Sequence, residues 1–303
     1  MDQAEGLRNI VKKQNQRPVG SARIIAVTSG KGGVGKSNTS INLALQFSRM
    51  GKKVIILDAD FGLANIEVMF GVIPRHNLSD LMNSDKSLKD IIVEGPEGVG
   101  FISGGSGIAK MTNLDNEQVR RLVYKLSELE QYADIIIVDT GAGIGNNVLE
   151  FVCSCPEVIL VTTPEPTSIT DAYALLKALN RYPGFDREAT TINVLCNRVN
   201  SGSEGINLFE KLNMVVGKFL SMELHFLGCI PMDYSITKAV MKQQPVTMMY
   251  PNCSSTKAYA SVAASLIHMD QANAEQKPQE TQNSISRFFT NLLRNRKTEH
   301  HTN

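Results

Sequence analysis

The chain has 303 residues, with 31 Lys and Arg against 30 Asp and Glu, a formal charge of +1. That length suits one large α/β domain or two small ones, and the near-neutral balance requires any contact with nucleic acid or anionic lipid to be local. No run approaches the roughly 18 apolar residues of a spanning helix, and the start M-D-Q-A-E-G-L-R lacks the apolar stretch of a signal peptide.

In chain order, residues 1–21 form a polar extension in which Ala4, Leu7, Ile10 and Val11 share one face of a short helix, marginal in isolation. Strands are predicted at Ile24–Thr28, Val54–Asp58, Gly100–Ser103, Asp134–Asp139, Val158–Thr162, Thr191–Cys196 and Leu227–Ile230. Helices are predicted at Lys36–Met50, Asn116–Glu130, Thr167–Arg181, Ile206–Ser221 and Ser255–Met269. Several strands are nearly unbroken Ile, Val and Leu, as in parallel strands covered on both faces. The alternation predicts a doubly wound, mainly parallel α/β domain over 22–270, with ligands gathered at the carboxyl ends of its strands. Residues 271–283 have the Gln-rich composition of a flexible tether, and apolar residues return within 284–303. Cys153, Cys155, Cys196, Cys229 and Cys253 are scattered through mostly apolar runs and read as reduced core thiols. The spacing Cys153-x-Cys155 is not that of the common Cys-x-x-Cys metal or redox site.

The chemistry begins at Gly30–Ser37, G-K-G-G-V-G-K-S, which fits G-x-x-x-x-G-K-[ST] between a predicted strand and helix. Its glycines, Gly30, Gly32, Gly33 and Gly35, let backbone N–H groups around Val34 turn onto phosphate oxygens. Lys36 is placed to reach the β/γ-phosphates, and the Ser37 hydroxyl to ligate Mg²⁺, with Asn38 following in the same nucleotide-binding run. Such a site also needs carboxylates at neighbouring strand ends. Asp60, after V-I-I-L-D-A-D, is the candidate for orienting the attacking water. Asp139, in I-I-I-V-D-T-G-A-G, is the candidate for holding Mg²⁺ through water, and Asp60 joins it and Ser37 in the metal set. Lys31 has no role in a generic phosphate loop; a solvated surface lysine and a second phosphate-directed cation both fit.

The extra lysine in K-G-G-V-G-K-S resembles the deviant Walker A motif of the MinD/ParA family of P-loop ATPases, a resemblance covering roughly residues 22–270. It implies ATP/ADP and Mg²⁺ as ligands, and a face-to-face homodimer formed with ATP in which Lys31 contacts the partner's phosphates. It also implies that Asn197, beside Arg198 in L-C-N-R-V, reads the adenine, with Pro231 and Asp233 in the loop beside the base. D-A-D-F-G-L-A-N-I-E and D-T-G-A-G-I are similar to the flagellar-number regulators called FlhG, YlxH or FleN. Division-site MinD more usually opens the second of these with Asp-Ser-Pro. In that branch the N-terminal D-Q-A-x-x-L-R, matched here by Asp2, Gln3, Ala4, Leu7 and Arg8, stimulates the GTPase FlhF. The resemblance further implies partners among flagellar switch-complex (C-ring) proteins or a flagellar transcription regulator, and a cytoplasmic protein attached reversibly to the inner membrane face. One departure is Ser37 where Thr is commoner; both supply a hydroxyl.

Near the C-terminus, Ile285, Phe288, Phe289, Leu292 and Leu293 fall at i, i+3, i+4, i+7 and i+8, one helical face beside Arg287, Arg294, Arg296 and Lys297. This is the pattern of an interfacial membrane helix, whose alternative is permanent docking on its own domain. The five side chains offer roughly 7–15 kcal/mol before partial burial and ordering reduce it. One copy then binds membrane weakly and two copies on a dimer much better. The preceding tether favours a movable element. A DNA-partition function needs a basic surface, against which the balanced charge weighs. An iron–sulfur scaffold needs a suitable Cys-x-x-Cys pair, which the sequence lacks.

Overall fold

Alternate residues of the first strand enter different cores. Ile24 and Ala26 join one apolar cluster, Ile25 and Val27 the other, as the two-residue period of a strand covered on both faces requires. The computed structural model describes residues 22–60, 65–83, 86–105, 116–276, 285 and 287–292.

The first half contains β1 (Arg23–Ser29), α1 (Lys36–Arg49), β2 (Val54–Ala59), α2 (Asn65–Phe70), α3 (Leu78–Asn83), α4 (Leu88–Ile91), β3 (Val93–Glu94), β4 (Gly100–Ser103) and α5 (Asn116–Ser127). The second contains β5 (Ile135–Ala142), α6 (Asn146–Ser154), β6 (Glu157–Thr162), α7 (Pro166–Arg181), β7 (Thr191–Val199), α8 (Gly202–Leu220), β8 (His225–Pro231), α9 (Tyr234–Met241), α10 (Val246–Met249) and α11 (Ser254–Gln276). Among the described residues the strands form one sheet in the order β3-β4-β2-β5-β1-β6-β7-β8. Every pairing is parallel except β3 with β4. The predicted doubly wound α/β class is the observed one.

That order positions the site. β5 lies between β1 and β2, and the register sets Asp58 opposite Asp139. The carboxyl ends of β2 and β5 therefore flank the loop that leaves β1. On the other side, β6 and β7 bring Asn197 to the same end of the sheet.

The short α6 has no counterpart among the predicted helices, because N-N-V-L-E-F-V-C-S offers barely two turns of pattern. One expectation needs correction. Helix α11 continues to Gln276, so the first six residues assigned to the tether, 271–276, are helical. Of the two resting places left open for the tail, this structure has the docked one: residues 287–292 are helical, and Ile285, Phe288, Phe289 and Leu292 are buried in the cluster that also contains Phe151. The Phe288 and Phe151 rings lie 6.4 Å apart, and Phe289 meets Phe288 edge-on at 4.7 Å. The physical reason is that an apolar stripe lowers its free energy against any dry surface, protein or lipid. Leu293, residues 1–21 with the D-Q-A-x-x-L-R motif, and the rest of the assigned tether and tail lie outside the described residues.

Candidate nucleotide-binding site

Between β1 and α1 the chain makes a turn that only glycine takes easily. Gly33 and Gly35 have φ of +76° and +102°. Gly30 serves a close approach instead, since a Cβ there would lie 2.0 Å from the carbonyl oxygen of Asp171 on α7. Gly35 is the N-cap of α1 and no side chain caps the helix, so its first N–H groups are left to an anion.

Lys36 is 8% exposed, and burial lowers its pKa while the carboxylates of Asp139 and Asp60 favour its charged form. Asp139 is fully buried; burial pushes it up to about 6, against hydrogen bonds from the Ser37 and Ser40 hydroxyls. The Ser40 Oγ donates at 2.7 Å to Asp139 Oδ1. Asp60 stands beside Gly141 at the start of the loop after Asp139, where a Cβ would lie 3.7 Å from Asp60 Oδ1. Its backbone N–H donates to Asp58 Oδ1 at 3.0 Å. Asp58 is buried too, and burial together with the Asp139 carboxylate pushes it up to about 8. The structure thus brings Lys36 and Ser37 at the start of α1 together with Asp60 and Asp139. A hydroxyl and two carboxylates at an uncapped glycine-rich helix start form a hard oxygen donor set, which fits a phosphate-bound Mg²⁺.

A cavity of about 500 Å³ continues from this loop and is lined by Gly35, Asn38, Asn197, Arg198, Pro231, Met232, Asp233, Ile236 and Tyr259 among others. Its size and mixed lining suit a purine base. The Asn197 amide is buried, with Nδ2 donating to the Val34 carbonyl at 2.7 Å and Oδ1 accepting from Arg198 N–H at 2.9 Å. Arg198, at φ +58°, donates to the Gly33 carbonyl at 2.7 Å, so the two residues brace the phosphate loop as well as lining the cavity. Asp233 caps α9 and also accepts from Ser254 and Ser255 at the start of α11. Burial alone raises its carboxyl, but those hydrogen bonds prevail and hold it well below the usual carboxylate range.

Lys31 stands apart. Its Nζ donates to Glu165 Oε2 at 2.6 Å and to Thr167 Oγ1 at 2.8 Å, at the exposed start of α7. Glu165 and Thr167 escape motif reading; the available signal was their place at a strand's carboxyl end, in T-T-P-E-P-T. Ser40 was findable too, one helical turn beyond Lys36 and so on the same face.

Residues 20–267 match a family model described as ParA, NUBPL iron-transfer P-loop NTPase. The chain is 44% identical over 241 residues to the antiactivator FleN of Pseudomonas aeruginosa PAO1, covering 80% of this chain and 85% of that protein. It is 33% identical over 307 residues to the flagellum site-determining protein YlxH of Helicobacter pylori, covering 97% and 98%. Its fold is similar to that of Pyrococcus horikoshii MinD complexed with Mg-ADP, with a TM-score of 0.62 and 24% identity over 85% of this chain and 100% of that one. Phosphate loop, flanking carboxylates and base cavity agree with these matches: the chain belongs to the ParA/MinD family of P-loop ATPases.

Proposed function

We propose that this ATPase is a switch controlling the number and placement of flagella, in which ATP drives homodimerisation and membrane attachment and hydrolysis reverses both. The observation that carries the reading is the deviant lysine. Lys31 bonds to Glu165 and Thr167, whereas Lys36 is set among Asp139 and Asp60; an exposed pair such as Lys31 with Glu165 is worth only about 0–1 kcal/mol, so it yields readily to a facing subunit's phosphates. The relatives FleN and YlxH favour the flagellar assignment.

Within the site, Lys36 supplies the buried cation for the β/γ-phosphates, and Asn197 with Pro231 and Asp233 frames the base. Ser37, with Asp60 and Asp139 through water, would hold Mg²⁺, which supplies charge neutralisation across the phosphates when bound. Asp60 orients the attacking water. The tail is the output. Its Phe288 packs on Phe151 of α6, the helix that begins after Gly141 and Gly143, so a change in that loop on nucleotide binding loosens the docking surface. The freed face of Ile285, Phe288, Phe289, Leu292 and Leu293 then enters the membrane interface at the inner face of the cytoplasmic membrane. At the other end, residues 1–21 activate the FlhF GTPase through Asp2, Gln3, Ala4, Leu7 and Arg8, and C-ring proteins or a flagellar transcription regulator receive the signal.

Sedimentation with anionic liposomes tests the switch. The full chain should pellet with ATP but not ADP, and Lys31→Ala or removal of residues 284–303 should abolish this; unchanged sedimentation of either variant would refute it. A peptide of residues 1–20 should accelerate FlhF GTP hydrolysis, and Gln3→Ala should weaken it. Division-site placement is the second reading, favoured by 28–30% identity to several MinD proteins. Deleting the gene and counting flagella against minicells separates the two.

A further inference from the structure

Cys196 on β7 and Cys229 on β8 face each other across a parallel strand pair. Cys196 is fully buried, whereas Cys229 is only half-buried. The Cys196 thiol has two acceptors in reach, the Gly205 carbonyl at 3.3 Å and the Cys229 sulfur. Gly205 on α8 makes room for the pair, since a Cβ there would lie 2.1 Å from Cys229 Sγ. The other cysteines lack this arrangement: Cys153 and Cys155 sit at the end of α6, and Cys253 bonds to Ser255 and Thr256.

We propose that Cys196 and Cys229 are a site of oxidative modification, closing to an intrachain disulfide with a hydroperoxide and weakening nucleotide binding until reduced. Cys229 is the attacking sulfur, because the hydrogen bond from Cys196 favours its thiolate while the same bond and burial raise Cys196. The thiolate attacks the peroxide, an S–O bond forms as O–O breaks, and hydroxide leaves to become water on taking the thiol's proton. Cys196 then loses its proton and attacks the sulfenic sulfur; S–S forms, S–O breaks, and a second water leaves. Two thiols are oxidised by two electrons and one peroxide is reduced to two waters.

The nucleotide effect follows from position. The residue after Cys196 is Asn197, bonded to the phosphate loop at Val34, and two residues after Cys229 is Pro231 at the cavity rim. Neighbouring strands stand about 4.8 Å apart, within the roughly 4.4–6.8 Å that the Cα atoms of a disulfide span, so the bond closes by turning the two side chains. Closure takes the Cys196 sulfur from the Gly205 carbonyl and ties β7 to β8 beneath the base cavity. The half-buried Cys229 sulfur leaves the bond within reach of an external thiol, which makes the modification reversible.

The test treats the full chain with hydrogen peroxide after ATP-analogue binding by the reduced chain has been measured. A supporting result is an intact mass lower by two hydrogens, a peptide map joining Cys196 to Cys229, and affinity about fivefold weaker, the loss of one neutral hydrogen bond. Dithiothreitol should restore all three. Cys196→Ser should leave Cys229 as a sulfenic acid trapped by dimedone, and Cys229→Ser should leave Cys196 a thiol. A link between any other pair, or Cys229 gaining oxygen with no link in the unmutated chain, overturns the disulfide. A linked chain with unchanged affinity overturns the effect on nucleotide. The unmutated map decides the first point even if a variant does not fold.

Discussion

The phosphate loop and the tail-bearing face solve opposite problems. The loop gathers Lys36, Asp139 and Asp58, groups that water would rather keep, and holds them by backbone shape at Gly33 and Gly35 and by hydroxyls such as Ser40. The tail face gathers Ile285, Phe288, Phe289 and Leu292, side chains that water rejects, and holds them by burial and ring contacts. Polar sites are specific because each buried charge requires named partners; apolar docking is interchangeable because it requires only a dry surface. Chemistry therefore suits the first region, and exchange of one dry surface for another suits the second.

The sharpest test of this division is Lys36→Ala. It should lower kcat for ATP hydrolysis by about 10²–10³ while amide exchange of the tail helix in the nucleotide-free chain stays unchanged. The converse is Phe288→Ala, which removes a core ring at a cost of about 3–5 kcal/mol. That cost should appear as undocking, with exchange of 287–292 rising about 10²-fold or more and the phosphate loop protected as before. A uniform fall in melting temperature, with no local exchange, would mean that the tail and the loop are one cooperative unit.

Acid–base behaviour sharpens the polar side. Folded Asp58 keeps its proton up to about pH 8, against about 3.9 for an ordinary carboxyl. Between those values the folded chain binds the extra proton, so stability falls as pH rises. Asp139, raised to about 6, adds the same trend over a narrower window. Asp58→Asn should therefore raise the melting temperature of the nucleotide-free chain more at pH 8 than at pH 5; an equal change at both would overturn the assignment. The smallest effect belongs to Lys31→Ala, whose exposed pair with Glu165 should cost less than about 1 kcal/mol of stability even as ATP-dependent dimers vanish from sedimentation velocity.

Legibility in the sequence follows the same division. Gly30–Ser37, Asp60 and Asp139 could be placed because each closes or follows a predicted strand, and strands of unbroken Ile, Val and Leu are easily seen. Asn197 and Pro231 needed a family likeness, since nothing local marks a residue as the wall of a cavity built from two strands and three helices. The tail's amphipathic face was plain, but its partner was not: a 3.6-residue period reports that a stripe will be covered, not by what. The docking helix α6 was invisible for being short, and Glu165 for being an ordinary surface acid until the fold sets it beside Lys31.

The extension of α11 to Gln276 sets a leash. Eight residues, 277–284, separate it from Ile285, and even a fully extended chain of that length spans only about 30 Å. On the proposed membrane switch, a tail leaving its docking surface would have to find the bilayer within this radius of the end of α11. The surface at that end of the domain would then face the lipid. Lengthening 277–284 with Gly and Ser should leave the affinity of docking nearly intact while, on that proposal, loosening the orientation of the protein on liposomes.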